Sequence, residues 1–196
     1  ESAGAGVTAR LWDEARKALH GAAITRTDAP LLLDVQTYER RLSLQGRIER
    51  ERRDARLTRN QRPFAAANPG ALHRNGWVQQ QGAHAWYFGP DAELLLSDEF
   101  LEDHCFRAVS PDTAGQVGLA FSPHRRRDLP DIQGVLRLDS TTLELRSIDF
   151  GYANVDLRTE ALIPGRVGGR IEFTRLPNGA WYVSHWNIRT PFLTRQ

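Results

Sequence analysis

Apolar residues recur at spacings of three and four near the start of the chain, where Val7, Leu11, Ala15, Ala18, Leu19 and Ala22 fall on one side of a 3.6-residue period. The spacing predicts an amphipathic helix over residues 7–22, with Thr8 as a cap, Gly21 as a stop and residues 1–6 as a flexible linker. After the turn signal TDAP, the run LLLDVQTYERRLSLQGRIERERRDARLTR reads as a long hairpin over residues 30–60, meeting near Gln45-Gly46. Its second arm is rich in Arg, Ala and Glu, which also suit a helix. Val35, Thr37 and Tyr38 favour strand, and the charge density predicts an edge-exposed or projecting ribbon.

Residues 61–104 carry mixed signals. RPFAAANPGALHRNGWVQQQGAHAWYFG is full of Pro, Gly and Asn, so irregular structure with short strands is expected, followed by a short helix, DEFLEDH, capped by Ser97. From residue 105 to 193 the pattern is strand after strand: FRAV, GQVGLAFSP, DIQGVLRLD, TLELRSIDFGY, GGRIEFTRL and AWYVSHWNIRT. Asp139-Ser140-Thr141 and Pro177-Asn178-Gly179 are the clearest hairpin turns. Ile171 and Phe173 alternate with Arg170 and Glu172, so one face of this antiparallel meander is buried and the other solvated. On the last strand, alternation puts Tyr182 and Trp186 with Ile188, and Trp181 with Val183 on the other side. The expected fold is α+β: a curved, half-barrel-like antiparallel sheet with the N-terminal helix and a short mid-chain helix packed on it, as one domain over residues 1–196.

Composition narrows the function classes. Of the 196 residues, 40% are hydrophobic and 26% charged, as in soluble globular proteins, and no apolar run approaches the ~20 residues of a membrane-spanning helix. The chain opens ESAGAGV and has no methionine, which points to a mature, processed chain without a signal peptide, or to an excised domain. A single cysteine excludes an internal disulfide and any Cys-x-x-Cys metal spacing.

His104-Cys105 is the one nucleophile-like pair. Adjacent residues on a strand diverge, so a working thiol would need His84, His124 or His185, and the apolar neighbours Leu101 and Phe106 favour packing for Cys105. The six histidines show no His-x-x-x-His spacing, so no metal is expected, and no cofactor is implied. The acids Asp98, Glu99, Glu102 and Asp103 lie on one short helix and cannot face each other across a glycosidase cleft. Arg125, Arg126 and Arg127 form a basic triplet suited to an anionic partner or membrane surface, with solvation as the plainer reading. The hairpin's interleaved acids argue against nucleic acid. Trp77, Trp86, Tyr87, Phe88, Trp181 and Trp186 are the candidate ligand or partner surface, tryptophan and tyrosine being enriched at interfaces.

The segments YFGPDAELLLSDEFLEDHCFRAV, GQVGLAFSP, LPDIQGVLRLDSTTLELRSIDFGYANV and GGRIEFTRLPNGAWYVSHWNIRTP resemble the C-terminal region of bacterial cell-envelope proteins that carry a carboxypeptidase regulatory-like sandwich upstream. The resemblance implies an extracytoplasmic, periplasmic setting and no peptidase chemistry. The N-terminal helix, the long hairpin and the unit GVLRLDSTTLELRSIDF are also similar in pattern to the half-barrel of lipoprotein carriers, in which a curved sheet covered by helices holds acyl chains. Together these lead to a non-catalytic binding module that offers an apolar surface to a hydrophobic ligand or protein partner. The alternatives are a membrane-extrinsic subunit of a larger complex, and a thiol hydrolase or transferase using Cys105.

Overall fold

A computed structural model describes residues 2–28, 31–43, 45–59, 64, 67–81, 84–110, 114–155 and 167–191. Six strands form an antiparallel meander: β5 (His104–Val109), β6 (Gln116–Pro123), β7 (Asp131–Asp139), β8 (Leu145–Ala153), β9 (Gly168–Arg175) and β10 (Trp181–Arg189), each paired with the next in sequence. One face is apolar. Leu119, Phe121, Ile132, Leu136, Ile148, Ile171 and Phe173 are buried there, while Arg137, Asp149, Arg170 and Glu172 occupy the other side. The two hairpin turns form at the expected sites: Asp139 Oδ1 accepts from the Thr141 and Thr142 amides, and Gly179 takes a positive φ of 89°.

A row of side chains crosses four of these strands. Phe121 lies opposite Gly134, Gly134 opposite Phe150, and Phe150 opposite Gly169. Each ring lies over a residue with no side chain of its own: a Cβ built on Gly134 would be 2.8 Å from Phe121 Cζ, and one on Gly169 2.6 Å from Phe150 Cζ. Large and bare positions alternate, so the rings fill the space that the glycines vacate and the sheet can bend around them.

The helix α1 (Ser2–Asp28) covers the apolar face through Leu11, Ala15, Ala18, Leu19 and Ala22, which are all buried. It is longer than the expected 7–22 and begins inside the expected linker; Val7 stays exposed. Both residues read as its punctuation have other work. Thr8 Oγ1 accepts from the Ala108 amide at 3.1 Å, satisfying a donor of the edge strand β5. Gly21 lies beneath Trp181, whose Cδ1 would be 2.5 Å from an added Cβ, so the missing side chain lets the helix approach the sheet.

Between the hairpin and the meander lie α2 (Pro69–Asn75), the short hairpin β3 (Val78–Gln81) and β4 (His84–Tyr87), α3 (Ala92–Leu95) and α4 (Asp98–Asp103). Asn68, Asp91 and Ser97 cap the three helices by accepting from the amides of Ala71, Leu94 and Phe100. Proline at the start of α2 fits the same logic, since that position has no intrahelical donor to lose.

The ribbon of β1 (Leu33–Leu42) and β2 (Ile48–Thr58) pairs from Leu33 opposite Thr58 up to Leu42 opposite Ile48. Apart from Val35 near its base, its residues are half-buried or exposed on both faces, as in a projecting arm. Glu51 accepts from Arg40 at 2.5 Å and from Arg53, both guanidinium groups lie over the Tyr38 ring, and the two hydrogen bonds hold the Glu51 carboxyl below its ordinary range.

Candidate functional site

Strand alternation separates the nucleophile-like pair. His104 turns into the core, Phe106 follows it, and Cys105 is exposed on the opposite side. The expectation that Cys105 packs is thereby corrected, because the burial of His104 dictates the outward direction of its neighbour. No described residue hydrogen-bonds the thiol, and the nearby His124 places Nδ1 against the Arg126 amide at 3.5 Å. A thiol reagent is expected to label one site per native chain within minutes, with no change in melting temperature; a cysteine that reacts only after denaturation would contradict this placement.

His104 belongs instead to a buried ionic cluster. Its Nδ1 faces the Phe100 carbonyl at 2.9 Å, and Nε2 faces the Ile132 carbonyl at 3.1 Å and Asp131 Oδ1 at 3.2 Å. Both ring nitrogens thus face oxygen atoms, and the Asp131 carboxylate lies beside Nε2. Arg127 then ties the cluster together: Nε donates to Asp131 Oδ2, Nη1 to Asp103 Oδ1 at 3.0 Å and Nη2 to the Leu72 carbonyl at 3.1 Å. His73 Nδ1 meets Asp103 at 3.1 Å from the outer side. Five side chains thus lock α2, α4, β5, β7 and the β6–β7 turn to one another. Asp131 is fully buried and His104 stacks on Phe100 at 4.0 Å, so these two are closed to a substrate, while His73 forms the cluster's exposed outer side. It is structural cement.

The basic triplet divides accordingly. Arg125 and Arg126 are exposed, but only a tenth of the Arg127 side chain is, so its expected contact with an external anion is corrected to an internal one. No group of His, Cys, Asp and Glu among the described residues could hold a metal ion.

The six aromatic candidates do not share one surface. Trp77 is buried edge-on against Phe100 at 6.2 Å, and Trp181 is buried over α1. Tyr87 packs against Tyr152 at 5.1 Å, and the Tyr152 hydroxyl donates to the Phe88 carbonyl at 2.8 Å; burial raises both phenols above their ordinary range. Trp86 is 59% exposed. Alternation alone misplaces Trp186. A bulge between Val183 and His185 shifts the register, setting Trp186 opposite Ile171 and Ile188 opposite Gly169, so both share the inner side with Val183.

Trp181 nonetheless has one free flank. Together with Ile171, Phe173, Val183, Leu33, Ala22 and Ala23 it lines a cavity of about 50 Å³ between the end of α1, the base of the ribbon and the free edge of the sheet, with Arg26, Arg59 and Asp91 at its polar margin. Arg26 is paired with Glu93 there. No family model, curated protein or solved structure matches the chain. The cleft combines apolar walls with three charged residues, Arg26, Arg59 and Asp91. No described helix is long and apolar enough to cross a membrane.

The outer face of the sheet offers a contrasting, open and polar basin lined by Gln116, Asp139, Arg146, Arg170, Glu172, Thr174 and Ser184. Its charges are matched internally: Asp149 accepts from Arg137 at 2.6 Å and from Arg170 at 2.8 Å, and Arg170 also donates to Glu172 at 2.8 Å. The Asp139 carboxyl is lowered from 3.8 to about 2, first by the Thr142 and Thr141 amides and then by Arg146. A carboxyl depressed by folding stabilises the fold above its unfolded value and loses that contribution as pH falls through its folded value. Between about pH 4 and 2 the native chain is therefore expected to lose stability more steeply than Asp139→Asn, as read by acid unfolding followed by circular dichroism.

Proposed function

We propose that this chain is a non-catalytic binding module of the bacterial cell envelope that takes an aliphatic group into the cleft between α1 and the free edge of the sheet. The carrying observation is the composition of that cleft: a buried tryptophan, aliphatic walls and helix alanines predominate, with only Arg26, Arg59 and Asp91 charged among its lining. A dry apolar cavity of ~150 Å³ holds benzene. At about 50 Å³, this one suits a slimmer group, such as the end of an acyl chain. The resemblance of the sequence to envelope proteins and to acyl-chain carriers supports the same reading. Cys105 is exposed, and no histidine among the described residues hydrogen-bonds its thiol, which supports the non-catalytic reading over the thiol alternative.

A fatty acid brominated near its methyl end tests this directly, because bromine quenches a tryptophan only at contact. With Trp86→Phe as background, titration is expected to quench emission saturably through Trp181. Ala23→Leu fills the cleft and should weaken binding by roughly tenfold or more while preserving the fold, a lost pocket for a few methylenes being worth that much. A native chain that shows no saturable quenching, or Ala23→Leu binding as well as native, would remove the proposal.

A further inference from the structure

We infer that the tip of the β1–β2 ribbon docks on the surface of an anionic phospholipid bilayer. This is independent of the cleft, which lies at the opposite end of the ribbon. An isolated two-stranded hairpin is marginal in water. Here the segment beyond Val35 extends roughly 25 Å at the usual strand rise, held by its own cross-strand pairs. Its far end is apolar. Leu42 and Ile48 face each other as the last ladder pair and are 38% and 54% exposed. Beyond them Gly46 takes a φ of 82°, and the Ser43 amide donates to the Arg47 carbonyl at 2.8 Å.

Basic groups surround this pair. Residues 39–53 contain six arginines and three glutamates. The glutamates at 49 and 51 are engaged within the ribbon, with Arg41 and with Arg40 and Arg53. The third, Glu39, lies directly opposite Arg52 in the ladder, whereas the exposed Arg47 and Arg50 have no side-chain partner among the described residues. Uncompensated positive charge therefore lies in and just behind the tip, around two aliphatic side chains. A bilayer interface fits that arrangement: phosphates for the arginines, and the acyl boundary below them for Leu42 and Ile48. A nucleic acid would leave the aliphatic pair unused, and the tip lacks the aromatic side chains on which bases stack. A protein partner would need an interface of ~800 Å² per side, whereas a bilayer needs only insertion of the tip.

The test is co-sedimentation of the chain with vesicles of equal parts phosphatidylglycerol and phosphatidylcholine, against vesicles of phosphatidylcholine alone. Binding to the anionic vesicles that weakens with added salt is expected. Leu42→Ser with Ile48→Ser should weaken it by roughly tenfold or more, and each of Arg47→Gln and Arg50→Gln by roughly fivefold. Unchanged thermal melts would show that the variants fold, since these side chains lie outside the core. Arg125→Gln with Arg126→Gln is the control on the other basic site and should leave binding intact. The inference is overturned by absent vesicle binding, by equal binding to both vesicle types, by loss of binding only in the Arg125/Arg126 control, or by tip variants that weaken capture of a nucleic acid or a soluble protein but not of vesicles.

Discussion

Asp131→Asn is expected to destabilise this fold by about 3–5 kcal/mol, the cost of breaking a buried ion pair by removing one partner. The substitution keeps size and shape, so packing changes little. What it removes is the charge that faces both the Arg127 guanidinium and the His104 ring inside the protein. Oδ1 also accepts from the Ile132 amide at 2.7 Å, so a misoriented asparagine would orphan a backbone donor as well. For a chain of this size the loss corresponds to a fall in melting temperature on the order of 10 °C. Arg126→Gln, one residue from the cluster's arginine, should stay within about 0.5 kcal/mol. In a double-mutant cycle, Asp131→Asn and Arg127→Met should be strongly non-additive, because each removes the reason for the other. Additive effects would mean that the cluster does not act as a unit.

Gly134→Ala is expected to lose about 2–3 kcal/mol, at the upper end for overpacking a core. The new methyl meets the Asp149 carbonyl oxygen and the Phe121 ring at once. Phe121→Leu in the same chain should recover part of the loss, because the ring can be shortened and the carbonyl cannot. Urea denaturation of the two single variants and the pair measures this. A neutral Gly134→Ala would show that the ring does not depend on the bare position beneath it.

The α+β layout and the six-strand meander were legible because each strand carries its burial in a two-residue alternation that depends on no other part of the chain. Ser97 and Asp139 were legible for a similar reason, since a cap and a turn are satisfied within a few residues. The misreadings share the opposite property. Thr8 and Gly21 look like helix punctuation, and only the sheet packed against them gives them their actual tasks. Arg125, Arg126 and Arg127 are one run in the sequence; the third is distinguished by Asp103, 24 residues before it, and by Asp131, four residues after. The i,i+4 spacing of Arg127 and Asp131, with an acid opening an apolar strand, was the available hint. Trp186 was misplaced because a bulge costs one residue of register and carries no mark in composition. The cleft combines residues from α1, the ribbon and two strands of the sheet, so no local window contains it.

The same bulge has a consequence for how copies of the chain meet. Among the described residues no further strand lies beyond β10 at that edge of the meander, and an edge strand's outward amides and carbonyls can template growth into fibrils. Two residues, Ser184 and His185, occupy the space of one there, which breaks the even spacing an incoming strand requires. Such a newcomer could register with the stretch before the kink or the stretch after it but not with both, and Arg189 puts a charge at the far end. The irregularity that strand alternation misses also makes this edge a poor template for a second strand.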